Sequence, residues 1–252
     1  MKINEIFYSV QGEGVTSGKP SVFLRLGVCN LHCWWCDTKY TWMFTESIKT
    51  HVETDIKRLK MEIPNDVKIY DISQEVKELT LEEVLKEIHK FQCKRLVLTG
   101  GEPTLQHNDR ILLNLLKILH KEGYYIEVET NGTIIPSQEF VSYISQWNVS
   151  PKLESSGNER NLREKSECYE FYKNLKNSWF KFVIVSPEDL KEVLDIIERY
   201  KIPSEKVLLM PEATSKEELH KKTKWLVEMC KKNNFRYSNR LHIDIWGAER
   251  GK

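Results

Sequence analysis

The chain has 252 residues, 40% of them hydrophobic, which is enough for one domain over residues 1–252 that buries most of its apolar surface. Its 38 basic and 37 acidic residues nearly cancel, so the charge gives no sign of a nucleic-acid partner. No apolar run approaches the roughly 20 residues that span a bilayer, and the first residues lack the apolar centre of a signal peptide, so no membrane partner is expected. The six cysteines, three of them isolated, do not form a disulfide pattern and favour a reducing cytoplasm.

The first predicted strand covers residues 21–27 and follows a turn-prone Gln-Gly-Glu-Gly loop at residues 11–14. Residues on the two faces of this strand differ in character. The face suited to packing against helices carries Val22, Leu24 and Leu26. Because side chains alternate along a strand, Arg25 is predicted to lie on the opposite face.

A cysteine-rich loop follows this strand at once, and residues 39–78 after it are polar and irregular. A helix is predicted near residues 53–62, stopped by Pro64. We interpret 39–78 as an insertion or flap rather than an independent domain, because its apolar content cannot form a core of its own.

Strands and helices alternate regularly after residue 78. A capping box at Thr80 and Glu83 opens the first helix of this part. Further strands are predicted at residues 95–99, 125–130, 147–150, 179–185 and 206–210, with a closing strand at 241–245. Helices are predicted at residues 109–120 and 137–146, at 187–200 and after 215. A further helix is predicted to follow the loop at 154–163 and to end at about residue 175.

About six strand–helix repeats predict parallel βα units and an α/β fold. A complete eight-stranded barrel uses about 250 residues, but here about forty lie in the insertion. We therefore predict an incomplete (β/α)6 TIM-like barrel. An open doubly wound sheet is the alternative, although the first βα turn lacks the Gly-x-Gly-x-x-Gly phosphate loop of that fold.

The unusual motifs of the chain follow the predicted strands, at the end where βα barrels form their active sites. The cysteine loop follows the first strand, and Thr-Gly-Gly-Glu-Pro at 99–103 follows the second. Glu-Thr-Asn-Gly, Ser-Pro-Lys and Met-Pro-Glu-Ala end later strands, at 129–132, 150–152 and 210–213. Gly-Gly and Asn-Gly are common turn fragments, so any one motif alone could be only a turn. Their convergence on one rim predicts a functional site.

Two carboxylates of the strand at 125–130 are predicted to point into the barrel. Ile126 and Val128 suit the helix layer, which leaves Glu127 and Glu129 on the inner face. Carboxylates in a dry lumen would be costly. Together with an inward Arg25 they predict a polar interior that holds a ligand, the alternative being an internal ion pair that only fills the barrel.

Three cysteines, Cys29, Cys33 and Cys36, have the spacing Cys-x3-Cys-x2-Cys, which lets a short loop direct successive thiolates at one metal centre. Iron–sulfur clusters normally use four cysteine ligands, so a cubane held by three would have one open iron. A structural zinc ion completed by His32 is the alternative, although neighbouring His32 and Cys33 are awkward partners on one tetrahedral ion. A reduced trio without metal is disfavoured by the polar neighbours.

This loop, with an aromatic residue before its last cysteine, resembles the signature of radical S-adenosylmethionine (SAM) enzymes. In that superfamily the open iron of a 4Fe–4S cluster chelates the amino and carboxylate groups of SAM, and an electron cleaves SAM to methionine and a 5'-deoxyadenosyl radical. Gly-Gly-Glu-Pro at 100–103 resembles the motif that holds the SAM amino group. The implied fold is the incomplete barrel of the radical SAM type.

The whole set of motifs resembles the 7-carboxy-7-deazaguanine synthase family of queuosine biosynthesis, over about residues 3–213 apart from the insertion. The resemblance implies a lyase that rearranges 6-carboxy-5,6,7,8-tetrahydropterin to 7-carboxy-7-deazaguanine with loss of ammonia. It also implies catalytic use of SAM and a requirement for Mg²⁺. The implied partners are a flavodoxin or ferredoxin reductant and a second copy of the chain in a homodimer.

The resemblance assigns the site residues in four groups. Cluster ligands are Cys29, Cys33 and Cys36. SAM is lined by Trp35, Asp37, Gly101, Glu102, Ser150, Pro151 and Lys152, and by the less closely matched Met210, Pro211, Glu212 and Ala213. The pterin is contacted by Val10, Gln11, Gly12, Glu13, Arg25 and Thr99. The Thr38 hydroxyl binds Mg²⁺, which prefers oxygen ligands.

One of these residues has a plain physical purpose, and a further residue is the catalytic candidate. The guanidinium of Arg25 can pair bidentately with the substrate carboxylate. Glu129 is the catalytic candidate, either for proton transfer during ring contraction or for anchoring the pterin N–H groups.

The long insertion and the tail at 241–252 depart from the family pattern. His242 and Asp244 share a face of the predicted closing strand, where they could touch substrate or form a surface pair. Two other functions stay open at this point. One is a glycyl-radical enzyme activating enzyme, which shares the cysteine loop but acts on a protein. The other is a non-catalytic zinc or iron–sulfur binding module.

Overall fold

A computed structural model describes residues 1–62 and 67–252 of the chain. Within them the strands are Lys2–Val10 (β1), Pro20–Leu26 (β2), Lys77–Glu78 (β3), Arg95–Gly100 (β4), Tyr125–Thr130 (β5), Gln146–Val149 (β6), Ser178–Ile184 (β7), Val207–Pro211 (β8) and Arg236–Tyr237 (β9). The helices are Glu46–Arg58 (α1), Ile72–Glu75 (α2), Leu81–His89 (α3), Arg110–Lys121 (α4), Gln138–Ser142 (α5), Arg160–Arg163 (α6), Ser166–Asn174 (α7), Asp189–Tyr200 (α8), Lys216–Asn233 (α9) and Leu241–Trp246 (α10).

The strands form one sheet in the order β3-β1-β2-β4-β5-β6-β7-β8-β9. Its centre is a run of six parallel strands, β2 and β4 to β8, extended at one edge by β9, which is parallel to β8. At the other edge β1 pairs antiparallel with both β2 and β3. In the described part of the chain β3 and β9 are not paired with each other, so the sheet does not close. The predicted incomplete barrel of six βα strands is confirmed.

Alternation along β2 decides which residues reach the interior. Val22, Leu24 and Leu26 are fully buried in the main apolar core, between the sheet and the helices. Arg25 lies on the other face, as predicted, and lines a pocket there. Helix α4 supplies much of the helix layer of the core, through Leu112, Leu115, Leu116 and Leu119. The outer face of the sheet is therefore apolar, and its inner face carries charged and polar side chains among apolar ones.

Two ends of the chain differ from the sequence-based expectation. Residues 2–10 form β1, which was not predicted as a strand, and Phe7 of β1 stacks on Phe23 of β2 with ring centres 4.9 Å apart. The predicted closing strand at 241–245 is wrong, because these residues belong to helix α10 and the edge strand is the preceding β9. Ile243 of α10 is buried against Ala213 and Leu219, so local packing overrides the short alternating pattern.

The helix of the insertion lies earlier than predicted. Helix α1 covers Glu46–Arg58 rather than 53–62, and it begins where the Thr45 side chain accepts a hydrogen bond from the Ile48 backbone N–H. The predicted stop at Pro64 lies outside the described residues. Helix α5 is also shorter than the prediction of 137–146, because β6 already begins at Gln146.

The insertion forms a small apolar cluster of its own, separate from the main core. Its buried members are Trp42, Met43, Val52, Ile56 and Val67. The cysteine loop completes this cluster, through Cys29, Trp34 and Cys36. Strand β3 at the end of the insertion joins the main sheet. The insertion thus has more apolar packing than its sequence suggested, and the interpretation of residues 1–252 as a single domain stays a prediction.

Helices long and apolar enough to cross a membrane do not occur among residues 1–62 and 67–252.

Candidate active site

One pocket opens at the carboxyl ends of the parallel strands and collects most of the predicted site residues. Those that line it are Val10, Gln11, Gly12, Glu13, Arg25, Cys29, Cys33, Trp35, Cys36, Asp37, Thr38, Thr99, Gly101, Glu129, Ser150, Lys152, Met210 and Glu212. The predicted convergence of the motifs at one rim is therefore observed.

Four of the residues assigned to SAM do not line this pocket: Glu102, Pro151, Pro211 and Ala213. The carboxylate of Glu102 is fully buried and accepts hydrogen bonds from the Thr104 and Thr130 hydroxyls (2.6 and 2.7 Å) and from the Asn131 backbone N–H (2.6 Å). Glu102 thus ties the loop after β4 to the end of β5.

The inner face of β5 forms the floor of the pocket. Glu129 accepts hydrogen bonds from the Thr99 hydroxyl (2.8 Å) and from the Gln11 side-chain amide (3.2 Å). The same amide donates to Glu127 (2.7 Å), which also accepts from the Thr16 hydroxyl. Burial, helped by the nearby Glu129 and only partly offset by these donors, raises the pKa of Glu127. Both glutamates point inward, as predicted, and Gln11 joins them.

Only the Nε edge of the Arg25 guanidinium is engaged by a hydrogen bond among the described residues. Its Nε donates to Glu5 of β1 at 2.7 Å, and the group lies over the Phe7 ring. Glu5 also accepts from the Tyr40 hydroxyl at 3.0 Å. Within the part of the chain that the structure describes, the two Nη groups of Arg25 make no hydrogen bond. They are free to face a ligand in the pocket.

A chain of alternating charges forms one wall, and half of it was missed in the sequence. Glu13 lies between Lys181 of β7, which donates to it, and Arg240, whose Nε is 3.0 Å from its carboxylate. Arg240 also donates to Asp37 of the cysteine loop. Burial alone would raise the pKa of Glu13 and of Asp37, but these cations lower both below their ordinary values. Lys181 alternates with Phe180 and Phe182, so the period-two argument used for β5 could have found it.

The tail residues His242 and Asp244 do not act as a pair. In helix α10 they point in different directions: His242 lines the pocket 3.9 Å from Glu13, whereas Asp244 contacts His220 at 3.1 Å. Burial lowers the pKa of His242, although Glu13 opposes this shift. A methyl group on Gly12 would approach the His242 ring to 2.0 Å, so this ring packs directly on the Gln-Gly-Glu-Gly loop.

The three predicted cluster ligands are free thiols on one side of the pocket. Each sulfur accepts a hydrogen bond from a different donor. The Leu31 backbone N–H reaches Cys29 (3.5 Å), Asn158 reaches Cys33 (3.3 Å), and the Trp42 indole reaches Cys36 (3.4 Å). Donors aimed at sulfur suit thiolates that carry the negative charge of an iron–sulfur cluster. Burial raises the pKa of Cys33 to about 12, and a metal ion bound to this sulfur would lower it.

The donor set fits a cluster better than one zinc ion. Among residues 1–62 and 67–252, no three Cys, His, Asp or Glu side chains are placed to hold a single metal ion. In a four-iron cluster each cysteine binds a different iron, so the sulfurs need not converge on one point. The His32 ring stacks on Trp42, with centres 5.0 Å apart, rather than completing a ligand set.

The start of the cysteine loop is held in an unusual conformation. Val28 has a φ of 67°, which is uncommon for a β-branched residue. Its N–H donates to the Thr41 carbonyl (2.8 Å) and its carbonyl accepts from the Glu102 N–H (2.9 Å). The insertion and the Gly-Gly-Glu-Pro loop together maintain this conformation, which sets the direction of Cys29.

Gly101 makes a close approach to this turn, which gives a testable prediction. A Cβ at position 101 would lie 2.0 Å from the Val28 carbonyl oxygen. Gly101→Ala is therefore expected to displace the cysteine loop and to lower the free energy of unfolding by about 2 kcal/mol or more. Thermal denaturation and iron content after reconstitution measure both effects. Gly123→Ala is the control, because its φ of 79° adds strain without any collision. An equal effect of the two substitutions would contradict the role given to the close approach.

Comparisons with known proteins agree with this geometry. The family model of the radical SAM superfamily matches residues 25–208. The 7-carboxy-7-deazaguanine synthase of Pyrobaculum aerophilum is 34% identical, over 100% of this chain and 97% of the relative. That of Buchnera aphidicola is 32% identical, over 95% of each chain. The crystal structure of QueE from Escherichia coli aligns with a TM-score of 0.65 at 26% identity, covering 96% of this chain and 94% of that one.

An incomplete barrel with three free cysteines at the mouth of its pocket is the architecture of a radical SAM enzyme. The superfamily implies a 4Fe–4S cluster and SAM as cofactors. Within this superfamily, the chain belongs to the 7-carboxy-7-deazaguanine synthase family.

Proposed function

We propose that the chain converts 6-carboxy-5,6,7,8-tetrahydropterin to 7-carboxy-7-deazaguanine with loss of ammonia, in the biosynthesis of queuosine and other 7-deazapurines. The observation that carries the proposal is Arg25, whose free Nη groups share one pocket with the three cysteines. A guanidinium fork is the side chain best matched to a carboxylate. Glu129, Gln11 and Thr99 surround the same space with groups that suit the N–H and carbonyl edge of a pterin.

In the proposed site Cys29, Cys33 and Cys36 hold the 4Fe–4S cluster, which when bound supplies the electron that cleaves SAM. Lys152 and Trp35 line the SAM side. The Lys152 ammonium donates to the Ser150 carbonyl and hydroxyl (2.8 and 2.9 Å) and lies over the Trp35 ring. The indole N–H of Trp35 is buried without a partner among the described residues, which suits a polar atom of a bound ligand.

The remaining roles concern the substrate. Arg25 fixes the carboxylate and so the orientation of the ring. Glu129 either accepts a proton during ring contraction or anchors the pterin N–H groups. The Thr38 hydroxyl, which lines the pocket beside Cys36, binds Mg²⁺ together with oxygen atoms of the substrate and water. The assignment of Glu102, Pro151, Pro211 and Ala213 to SAM stays a prediction, because these four residues do not line the pocket.

The test is an anaerobic assay of the reconstituted protein with SAM, dithionite, Mg²⁺ and the pterin, analysed by mass spectrometry. The expected result is 7-carboxy-7-deazaguanine with SAM recovered. SAM cleaved to 5'-deoxyadenosine without this product would favour the activating-enzyme alternative. One zinc per chain without sulfide would favour the metal-binding module.

The proposal extends to the surroundings of the enzyme. We propose a flavodoxin or ferredoxin as reductant and a homodimer, both supported by the family resemblance. We also propose a cytoplasmic location, supported by the six free cysteines. Light scattering on the anaerobic protein tests the dimer, and substitution of each purified reductant for dithionite tests the electron donor.

A further inference from the structure

We propose that Trp42 and Asn158 set the reduction potential of the cluster, by donating hydrogen bonds to the sulfurs of Cys36 and Cys33. The inference rests on the assignment of the three cysteines to the cluster that is proposed above. Both residues act through a cysteine sulfur and are therefore positioning residues. Because the insertion at residues 39–78 supplies Trp42, it gains a function beyond covering the cysteine loop.

The Trp42 indole is fixed in place on several sides. The side chain is buried, and its Nε1–H donates to Cys36 Sγ at 3.4 Å. The ring stacks on His32. The Trp42 backbone N–H donates to the Lys39 carbonyl at 3.1 Å, and the neighbouring Thr41 carbonyl accepts the Val28 N–H. A donor held in this way keeps its direction toward the sulfur.

Asn158 reaches the second sulfur from a different loop. Its side chain is buried, and its Nδ2 donates to Cys33 Sγ at 3.3 Å. Its Oδ1 accepts the His32 backbone N–H at 2.8 Å. This bond fixes the oxygen on one side, so the amide nitrogen lies on the other, where it donates to Cys33 Sγ and also to the Ser156 hydroxyl at 3.1 Å.

The insertion carries one donor and contacts the loop that carries the other. Besides carrying Trp42, it places helix α1 against the loop of Asn158, where Arg58 donates to the carbonyl of Gly157. Its apolar side chains Met43, Val52 and Ile56 form the cluster on which Cys29 and Cys36 pack. The segment therefore provides both a polar and an apolar environment for the cluster ligands.

These two environments act on the potential in opposite directions. Reduction adds one electron to the cluster and increases the negative charge on its sulfurs. An N–H dipole aimed at sulfur stabilises the reduced state more than the oxidised state and raises the potential. Apolar surroundings disfavour the more highly charged reduced state and lower the potential. They also strengthen each remaining hydrogen bond, so loss of one donor has a measurable effect.

Trp42→Phe is the direct test, because phenylalanine keeps the aromatic packing and removes the N–H. The midpoint potential is measured by titration with dithionite in the presence of redox mediators, with the reduced cluster followed by electron paramagnetic resonance. The expected result is a shift to more negative potential with unchanged iron content. Asn158→Ala is expected to shift the potential in the same direction. In the double variant the shift should exceed that of either single variant, since each donor acts on a different sulfur.

Trp34→Phe is the matched control. Trp34 lies in the same loop and packs on the same apolar cluster, but its indole N–H donates to the Ser155 carbonyl at 2.7 Å instead of to sulfur. The midpoint potential of the cluster in Trp34→Phe should equal that of the unsubstituted protein.

An intact cluster at the unsubstituted potential in Trp42→Phe would overturn the inference for Cys36, and an equal shift in Trp34→Phe would overturn it for both sulfurs. If Trp42→Phe fails to assemble a cluster, Asn158→Ala decides the question at Cys33. Zinc and no cluster signal in the unsubstituted protein would instead overturn the cysteine assignment, and this inference with it.

Discussion

Replacing Cys33 by alanine is expected to abolish reductive cleavage of SAM. Cys33 lies between the other two cysteines in the sequence. Its side chain is buried in the pocket, and its sulfur accepts a hydrogen bond from the Asn158 side chain. Alanine would leave the four-iron cluster with only two protein ligands, and two ligands are too few to hold it firmly. We expect the iron content after anaerobic reconstitution to fall well below about four per chain, and 5'-deoxyadenosine to be undetectable by chromatography.

Cys93→Ala is the control for this substitution. Cys93 is partly buried, and its thiol donates to the Pro20 carbonyl at 3.3 Å, away from the pocket. Full iron content and normal SAM cleavage are expected. Retention of both by Cys33→Ala would mean that another residue is the third ligand, and neighbouring His32 would be the first to replace.

Outside the motif loops, such as the cysteine loop, the parts of the site that could be predicted lie on regular strands. Val22, Leu24 and Leu26 marked the outer face of β2, so Arg25 had to be inward, and it is. The same argument placed Glu129 on the inner face of β5. Strand ends gave the position of the rim, because parallel strands bring their carboxyl ends together. Periodicity and topology are therefore sufficient for residues whose neighbours are set by the sheet.

Residues on irregular segments could not be predicted in the same way. Arg240 follows the two-residue strand β9. It binds both Asp37 and Glu13, each of which lies more than two hundred positions earlier in the sequence. Trp42 meets Cys36 through the fold of an insertion that has no periodic pattern. No periodicity rule links these pairs. The Arg240 contacts depend on how separate loops pack over the sheet, and the Trp42 contact depends on the irregular path of one loop over six positions. Residues 241–245 were misread for the same reason, since the packing of Ile243 decides between helix and strand.

Replacing Arg25 by alanine is expected to weaken pterin binding strongly and to spare SAM cleavage. Loss of a buried charged pair costs about 2 to 5 kcal/mol, which corresponds to a rise in KM from about 30-fold to several thousand-fold. The SAM side is expected to be intact, because Arg25 bonds to Glu5 rather than to the cysteine loop. Glu5 stays paired through Tyr40 (3.0 Å) and Arg250 (3.2 Å), so the substitution leaves no unpaired carboxylate. Steady-state kinetics and 5'-deoxyadenosine formed without pterin measure the two effects separately.

Two further variants make this result specific. Arg25→Lys keeps the charge but loses the planar fork, so its KM should lie between those of the alanine variant and the unsubstituted protein. Arg236→Ala removes an exposed arginine that stacks on Trp179 outside the pocket, and its kinetics should be unchanged. Parallel loss of pterin turnover and uncoupled SAM cleavage in Arg25→Ala would assign Arg25 to the support of β1 and β2. A selective rise in KM would assign it to the substrate carboxylate, because only substrate binding depends on the free side of the guanidinium.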